Sequence, residues 1–167
     1  MNAWNSSEIA RACAFTGHRP ERLGYPEAEV NAWLAGEIGN AIRDGCATFI
    51  SGMQRGVDLW AAEEVLRRRG AGQNVRLVAA AAFRGMEQRW GEDWKRRYER
   101  VLAAADEVVF VSDTPGRAAF MERNRYMVDH AARLIAVYSG GGGGTLETMR
   151  YAERKRRKVI RYDRRQR

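Results

Sequence analysis

Strand-like and helix-like segments alternate along this chain in an unbroken order. Apolar runs typical of buried β-strands occupy residues 12–17, 47–52, 75–83, 107–112, 133–140 and 158–162. Segments with helical periodicity separate them at residues 26–45, 58–70, 86–106, 117–132 and 145–157. Strict alternation favours a parallel sheet with helices on both faces. The sequence therefore predicts an α/β fold, a Rossmann-like three-layer sandwich with a mainly parallel sheet of about six strands.

The length of 167 residues fits one domain with a sizeable core, and no linker or repeat interrupts it, so we expect residues 1–167 to form a single domain. No run of 18 or more apolar residues is present, and the first residues lack the pattern of a signal peptide. Cys13 and Cys46 lie in or beside apolar runs, which favours buried free thiols. These features predict a cytoplasmic protein that does not enter a membrane.

The excess positive charge is confined to the C-terminus. The chain has a net charge of +8, and residues 154–167 contain nine Lys or Arg and one Asp. The preceding 153 residues carry equal numbers of basic and acidic side chains. We therefore distinguish a neutral body from a basic C-terminal segment, residues 154–167. Two interpretations of that segment are open. It is a solvated last strand and tail, or its positive charge attracts the phosphates of a nucleic acid.

The helix predicted at 86–106 carries large side chains at intervals of four residues: Met86, Trp90, Trp94, Tyr98 and Leu102. A stripe of this kind is typical of packing, on the sheet or on a partner subunit. A cofactor site is the less favoured interpretation.

Three predicted strands run into glycine-containing turns, and these turns define the predicted ligand site. The carboxyl ends of parallel strands meet at one edge of a sheet, where ligands of open α/β folds bind. The residues that we expect to bind a ligand there are Thr16, Gly17, His18, Arg19, Ser51, Gly52, Met53, Gly56, Asp58, Asn124, Gly140, Gly141, Gly142, Gly143, Gly144 and Thr145.

Five consecutive glycines, residues 140–144, lie between the fifth predicted strand and the next helix. A tight turn would need only one or two glycines. A bare backbone at a helix start presents N–H groups and the positive end of the helix dipole to a phosphate. Thr145 is placed to cap the helix or to hydrogen-bond a phosphate oxygen. The loop lacks the Lys-Ser/Thr of a Walker A motif, and it does not follow the first strand as a dinucleotide fingerprint would.

Several candidate side chains have a structural interpretation beside the functional one. Asp58 is suited to capping a helix or to binding a ribose hydroxyl. Glu147, in a first helical turn, is favoured by the dipole and is also a candidate catalytic carboxylate. Arg123 is either a residue of a solvated helix face or a phosphate ligand. His18 is structural or ligand-binding, and no second His lies nearby to form a metal site, so no metal or cofactor is expected.

Segments spread over nearly the whole chain resemble a known group of proteins. The stretches "FTGHRPERLGY", "SGMQRGVDLWAAEEV" and "RNRYMVDHAARLIAVYSGGGGGTLETMRYA" are similar to the YpsA-like branch of the SLOG superfamily. That superfamily also contains the DNA-processing protein A domain and the Lonely guy hydrolases. The resemblance implies a Rossmann-like fold, a pocket for a nucleotide or nucleotide-derived ligand such as ADP-ribose, and a homodimer.

The Lonely guy hydrolases carry the motif P-G-G-x-G-T-x-x-E, in which the Glu is catalytic. Here Gly141, Gly142, Gly144 and Thr145 match that motif. Its Pro position holds Gly140, its Glu position holds Thr148, and Glu147 comes one residue early. Arg123 matches the Arg of their M-x-x-R-K motif only with a shift of one position. The resemblance therefore names Glu147 and Arg123 as the candidate catalytic residues and leaves open whether this chain is an enzyme.

Three functions are consistent with these patterns. The first is binding of a small phosphorylated ligand, a nucleotide or nucleotide derivative, by the glycine turns. The second is hydrolysis of the N-glycosidic bond of a nucleoside 5′-monophosphate. The third is nucleic-acid binding, as in DNA-processing protein A, through the basic segment; the neutral body argues against a broad groove that follows phosphates.

Overall fold

The computed structural model describes residues 3–164 and contains one six-stranded sheet. The strands are β1 (Ala12–Gly17), β2 (Thr48–Ser51), β3 (Arg76–Ala81), β4 (Glu107–Phe110), β5 (Arg133–Val137) and β6 (Lys158–Arg161). Their spatial order is β4-β3-β2-β1-β5-β6, and every neighbouring pair is parallel. The predicted fold class is confirmed, because all six strands join one parallel sheet flanked by helices.

Seven helices connect and flank the strands within residues 3–164. They are α1 (Ser6–Ala10), α2 (Pro20–Leu23), α3 (Glu27–Arg43), α4 (Val57–Gly70), α5 (Glu92–Ala104), α6 (Arg117–Asp129) and α7 (Gly144–Arg154). The five predicted helices correspond to α3 to α7. The two short helices were not predicted, because four or five residues are too few to show a helical period.

The prediction for α5 was wrong at its start. Residues 84–90 form turns, and the helix begins only at Glu92. Gly85 has a positive φ of 83°, and Gly91 is the extended N-cap of the helix, so the two glycines keep the intervening residues out of it. The ring of Trp90 nevertheless packs at 5.5 Å against that of Tyr98, so the aromatic stripe serves packing as predicted.

Alternating strand residues point to two separate cores. Cys13, Phe15 and Phe49 pack on one face of the sheet with α3, α4 and α5. Ala14 and Ile50 pack on the other face with α6 and α7. The inner strands β1 and β2 are therefore apolar on both sides, as expected of a parallel sheet covered by helices. Cys13 and Cys46 are buried and unbridged, and burial raises the pKa of both thiols.

The connections reverse direction next to β1. The chain adds β2, β3 and β4 on one side of β1, then crosses to place β5 and β6 on the other side. The segments that follow β1 and β5 consequently lead away in opposite directions. This leaves a crevice beyond the carboxyl ends of these two strands.

Part of the basic segment is integrated into the fold. Arg157 donates to the carbonyls of Val128 (3.0 Å) and Asp129 (3.1 Å) at the end of α6. Lys155, directly after α7, pairs with Asp129 at the end of α6 at 3.7 Å. Residues 165–167 of the basic segment lie outside the described residues.

Among residues 3–164, no helix combines the length and the hydropathy that crossing a bilayer requires.

Candidate functional site

A cavity of about 480 Å³ opens in the crevice beside β1 and β5. Ten of the residues predicted from sequence line it. They are Thr16, Gly17, His18, Arg19, Asp58, Arg123, Asn124, Gly144, Thr145 and Glu147. The turns after β1 and β5 therefore meet around one space, together with the first turn of α4 and one face of α6.

The other predicted residues lie outside the cavity lining. These are Ser51, Gly52, Met53, Gly56, Gly140, Gly141, Gly142 and Gly143. Ser51 is a buried supporting residue whose hydroxyl donates to the carbonyl of Asp58 at 2.8 Å. Met53 is fully buried in the core, with a positive φ of 64°.

Six lining residues were missed from the sequence: Arg22, Gln54, Gly116, Arg117, Phe120 and Met121. Gly116 and Arg117 follow the fourth strand and open a helix. The pattern of a strand, a glycine and a helix start, used for the other turns, was therefore present there too. Arg22 follows the first glycine turn, and no motif marks it.

The glycine loop, residues 140–144, is braced by its neighbours. Gly140, Gly141 and Gly143 have φ values of 109°, 81° and 116°, which favour glycine. Arg22 donates to the carbonyl of Gly142 at 3.1 Å, and the Tyr138 hydroxyl donates to that of Gly141. The loop thus holds a fixed path that ends at the start of α7.

Three helices that contribute first-turn residues to the cavity begin without a side-chain cap. Their N-cap residues are Gly56 for α4, Gly116 for α6 and Gly143 for α7, all with positive φ. Within residues 3–164, none of these three helices has a side-chain hydrogen bond from its N-cap residue. The capping roles considered for Asp58 and Thr145 are therefore wrong. First-turn amides at these helix starts remain available, and their dipoles favour an anion.

Two predicted glycines shape the site by allowing close packing. A Cβ on Gly17 would lie 2.6 Å from Cβ of Val57, so only glycine lets β1 end against the start of α4. A Cβ on Gly52 would lie 2.7 Å from Oδ2 of Asp58 and 3.0 Å from Cδ of Arg123. Gly52 therefore provides the space in which these two charged side chains come together.

Asp58 and Arg123 form a buried pair of opposite charges below the cavity, each only 5% exposed. Arg123 donates to the carbonyl of Gly52 and, through Nε, to Oδ1 of Asn124 at 2.9 Å. The interpretation of Arg123 as a solvated helix residue is therefore wrong. Desolvation raises the pKa of Asp58 to about 6, although Arg123 and the Gln54 amide (3.3 Å from Oδ2) act to lower it.

His18 lines the cavity and has one buried ring nitrogen without a hydrogen-bond partner among the described residues. The residue is 5% exposed, and the nitrogen is Nε2. Its ring lies 5.3 Å from that of Tyr138. Burial lowers the pKa of His18 and the charge of Arg22 lowers it further, against an opposing effect of the Gly140 backbone, which favours the neutral imidazole.

The charges that line the cavity are predominantly positive. Four arginines, Arg19, Arg22, Arg117 and Arg123, face two carboxylates, Asp58 and Glu147. Thr148, at the position of the hydrolases' catalytic Glu, donates its hydroxyl to the carbonyl of Gly144 at 2.7 Å. No group of three or more potential metal-binding side chains is found within residues 3–164. The site is therefore equipped for an anion and for the hydroxyl groups of a ligand.

The comparisons with solved structures concern the fold. DNA processing protein A of Streptococcus pneumoniae superposes with a TM-score of 0.64 at 18% identity, over 91% of this chain and 50% of that protein. This chain thus spans half the length of the S. pneumoniae protein. DNA processing protein A of Helicobacter pylori, for which a single-stranded DNA binding mode is described, superposes with a TM-score of 0.65 at 15% identity, over 94% of this chain and 68% of that protein.

The sequence comparisons identify the family. A UPF0398 protein of Bacillus pumilus is 29% identical over 144 residues, which cover 81% of this chain and 77% of that protein. The sequence profile of the YpsA family, described as the YspA SLOG family, matches residues 13–165. Because this match extends over nearly the whole chain, the chain belongs to the YpsA family of the SLOG superfamily.

Proposed function

We propose that the cavity beside β1 and β5 binds a small phosphorylated ligand of the nucleotide class. The observation that carries this proposal is the uncapped start of α7 at a cavity whose charged lining residues are mostly arginines. A helix start without a side-chain cap leaves main-chain N–H groups that an anion can satisfy. The volume of about 480 Å³ is within the range of small-molecule sites.

Each part of a nucleotide finds matching chemistry in the lining. Main-chain amides at Gly144 and Thr145 suit a phosphate, with Arg22 and Arg117 adding charge-assisted donors. Carboxylates such as Glu147 accept hydrogen bonds from ribose hydroxyls. Phe120, at the same wall, offers an apolar ring to a base.

Calorimetric titration of the full chain with AMP, ADP and unphosphorylated adenosine tests the proposal. We expect the phosphorylated ligands to bind and adenosine to bind far more weakly. Arg117→Gln should weaken AMP binding by about tenfold, the equivalent of one lost charge-assisted hydrogen bond. Arg100→Gln removes an exposed arginine of α5 away from the cavity and serves as the control. Absence of binding at millimolar concentrations would overturn the proposal.

The position of Glu147 supports a second candidate function, hydrolysis of the N-glycosidic bond of a nucleoside 5′-monophosphate. Its carboxylate lines the cavity beside the start of α7 and would lie next to the ribose of a bound nucleotide. Water would add across the bond, giving the free base, which takes a proton, and ribose 5-phosphate. Chromatography detects the base released from AMP. Loss of release in Glu147→Gln with AMP binding retained supports the reaction, and an inert wild-type protein that binds AMP rejects it.

Nucleic-acid binding by the basic segment is a weaker proposal, supported by its charge and by the structural likeness to the H. pylori protein. Deletion of residues 154–167 would remove β6, so neutralising the exposed Arg156 and Arg161 to Gln is the cleaner test. Steeply salt-dependent binding of single-stranded DNA that both substitutions weaken would support this function.

We further propose a homodimer that acts in the cytoplasm. β4 is an edge strand of the sheet and carries the exposed Val108, so it offers a surface for a contact between copies. Light scattering after size-exclusion chromatography gives the mass directly, and a monomer at micromolar concentration would contradict the proposal.

A further inference from the structure

A second cavity, of about 170 Å³, adjoins the one described above. Met121, Asn124 and Glu147 line both cavities and so form the boundary between them. The far wall consists of Arg125 on α6 and of Tyr151 and Arg154 on α7. None of these three residues was predicted as part of a site.

Like charges are concentrated around Tyr151. The guanidinium carbons of Arg125 and Arg154 lie 5.9 Å and 5.7 Å from the centre of its ring, and Nζ of Lys155 lies 5.6 Å from it. The nearby carboxylate of Asp129 already accepts from the Tyr151 hydroxyl at 2.8 Å and pairs with Lys155. Within the described chain, neither Arg125 nor Arg154 forms an ion pair.

We propose that this second cavity binds a second phosphate group of the same ligand, separated from the first phosphate by a sugar. Arg125 and Arg154 are exposed guanidinium groups on adjacent helices, each within 5.9 Å of the centre of the Tyr151 ring and without a carboxylate partner in the described chain, so both are available to one anion. Arginine is well suited to phosphate. The inference rests on the proposed function, since it places the first phosphate at the start of α7.

Glu147 explains why a sugar is required between the two phosphates. Glu147 lines both cavities, so its negative charge would repel a third phosphate or a directly linked diphosphate at their boundary. The hydroxyl groups of a ribose, in contrast, would donate hydrogen bonds to its carboxylate. The chemistry that fits is phosphate, sugar and phosphate in sequence, as in a nucleoside 3′,5′-bisphosphate or in one unit of a single strand of nucleic acid.

Calorimetric titrations with AMP, ADP and adenosine 3′,5′-bisphosphate test this arrangement in the wild type and in the double variant Arg125→Gln/Arg154→Gln. We expect the bisphosphate to bind at least about tenfold more tightly than AMP, because it gains charge-assisted hydrogen bonds. The double variant should lose this advantage while its affinity for AMP is unchanged. ADP should show no advantage that depends on the two arginines. The variant Arg100→Gln/Arg150→Gln, which removes two exposed arginines outside both cavities, is the matched control.

The outcomes separate the two proposals. If AMP binds and the bisphosphate binds no better, or if its advantage survives in the double variant, the second phosphate site is wrong and the proposed function stands. If no phosphorylated compound binds, both are wrong. A short single-stranded oligonucleotide shows whether the phosphate–sugar–phosphate unit belongs to a nucleic-acid strand or to a free bisphosphate. Tighter, arginine-dependent binding of the oligonucleotide identifies a strand, and preference for the free bisphosphate identifies a small molecule.

Discussion

At the scale of single residues, the site depends on glycines that leave room for charged groups. Gly52 is the clearest case, because any larger residue would overlap the space shared by Asp58 and Arg123. These two side chains are buried, and they interact by electrostatic attraction more than by a direct hydrogen bond. Little water surrounds the two charges. A small displacement of either side chain therefore changes an electrostatic energy that solvent does not offset.

Gly52→Ala is expected to lower the free energy of unfolding by about 1–3 kcal/mol, because the added methyl group overpacks this point. Denaturant unfolding followed by circular dichroism measures the change. Gly36→Ala in α3 is the control: a Cβ there meets no described atom within 4 Å, so the helix should gain about 1 kcal/mol. Equal stability of Gly52→Ala and wild type would show that the pocket relaxes freely.

The raised pKa of Asp58 predicts a specific pH dependence of stability. Its pKa rises from the ordinary 3.8 to about 6 in the folded protein, so between these values the folded state holds a proton that the unfolded chain has released. Asp58→Asn removes this titration. The free energy of unfolding of the wild type should therefore fall relative to the variant as the pH rises from about 4 to 7, by at most about 3 kcal/mol. Parallel pH profiles of the two proteins would contradict the shift.

At the scale of secondary-structure elements, the segments with a periodic apolar pattern were predicted from the sequence, and features without such a period were missed. Six strands and five long helices were found because their apolar periods are clear. The start of α5 was placed too early because the spacing of Met86 and Trp90 imitates a helix that Gly85 and Gly91 prevent. Arg22 and the wall formed by Arg125 and Arg154 were missed because they meet the site only through tertiary packing.

The glycine loop before α7 yields a prediction about this element. Gly143→Ala should destabilise the protein by about 1–2 kcal/mol and weaken phosphate binding, because its φ of 116° is unfavourable for a residue with a Cβ. Gly142→Ala is the matched control, since its φ is ordinary and its Cβ would meet no described atom within 4 Å. Thermal unfolding and AMP titration of both variants compare them directly. Equal behaviour would mean that the loop adapts to either substitution.

At the scale of the whole molecule, the candidate site lies beside the buried central strands of the sheet. β1 is paired on both sides and its residues Ala12–Phe15 are fully buried, whereas β4 is an edge strand with half-exposed side chains. The cavity lies where the chain reverses direction beside this central strand. The rigid centre of the sheet thus supports the turns that line the site, as is usual for loops carried by a scaffold.

Native-state hydrogen exchange should reflect this arrangement. Amides of β1 and β5 are expected to exchange only through global unfolding, and those of β4 through smaller local openings. Addition of AMP should slow exchange of the amides in residues 140–147 and leave those of β4 unchanged. Protection that appears first in β4 would place the ligand elsewhere on the molecule.

The buried carboxyl of Asp58 would couple the proposed binding of a phosphate to the uptake of a proton. A phosphate that enters the same cavity brings negative charge towards a group already poised near pH 6, and so draws a proton onto it from solution. Near neutral pH, the measured enthalpy of binding should consequently vary with the ionisation enthalpy of the buffer, and Asp58→Asn should lower the number of protons taken up relative to the wild type.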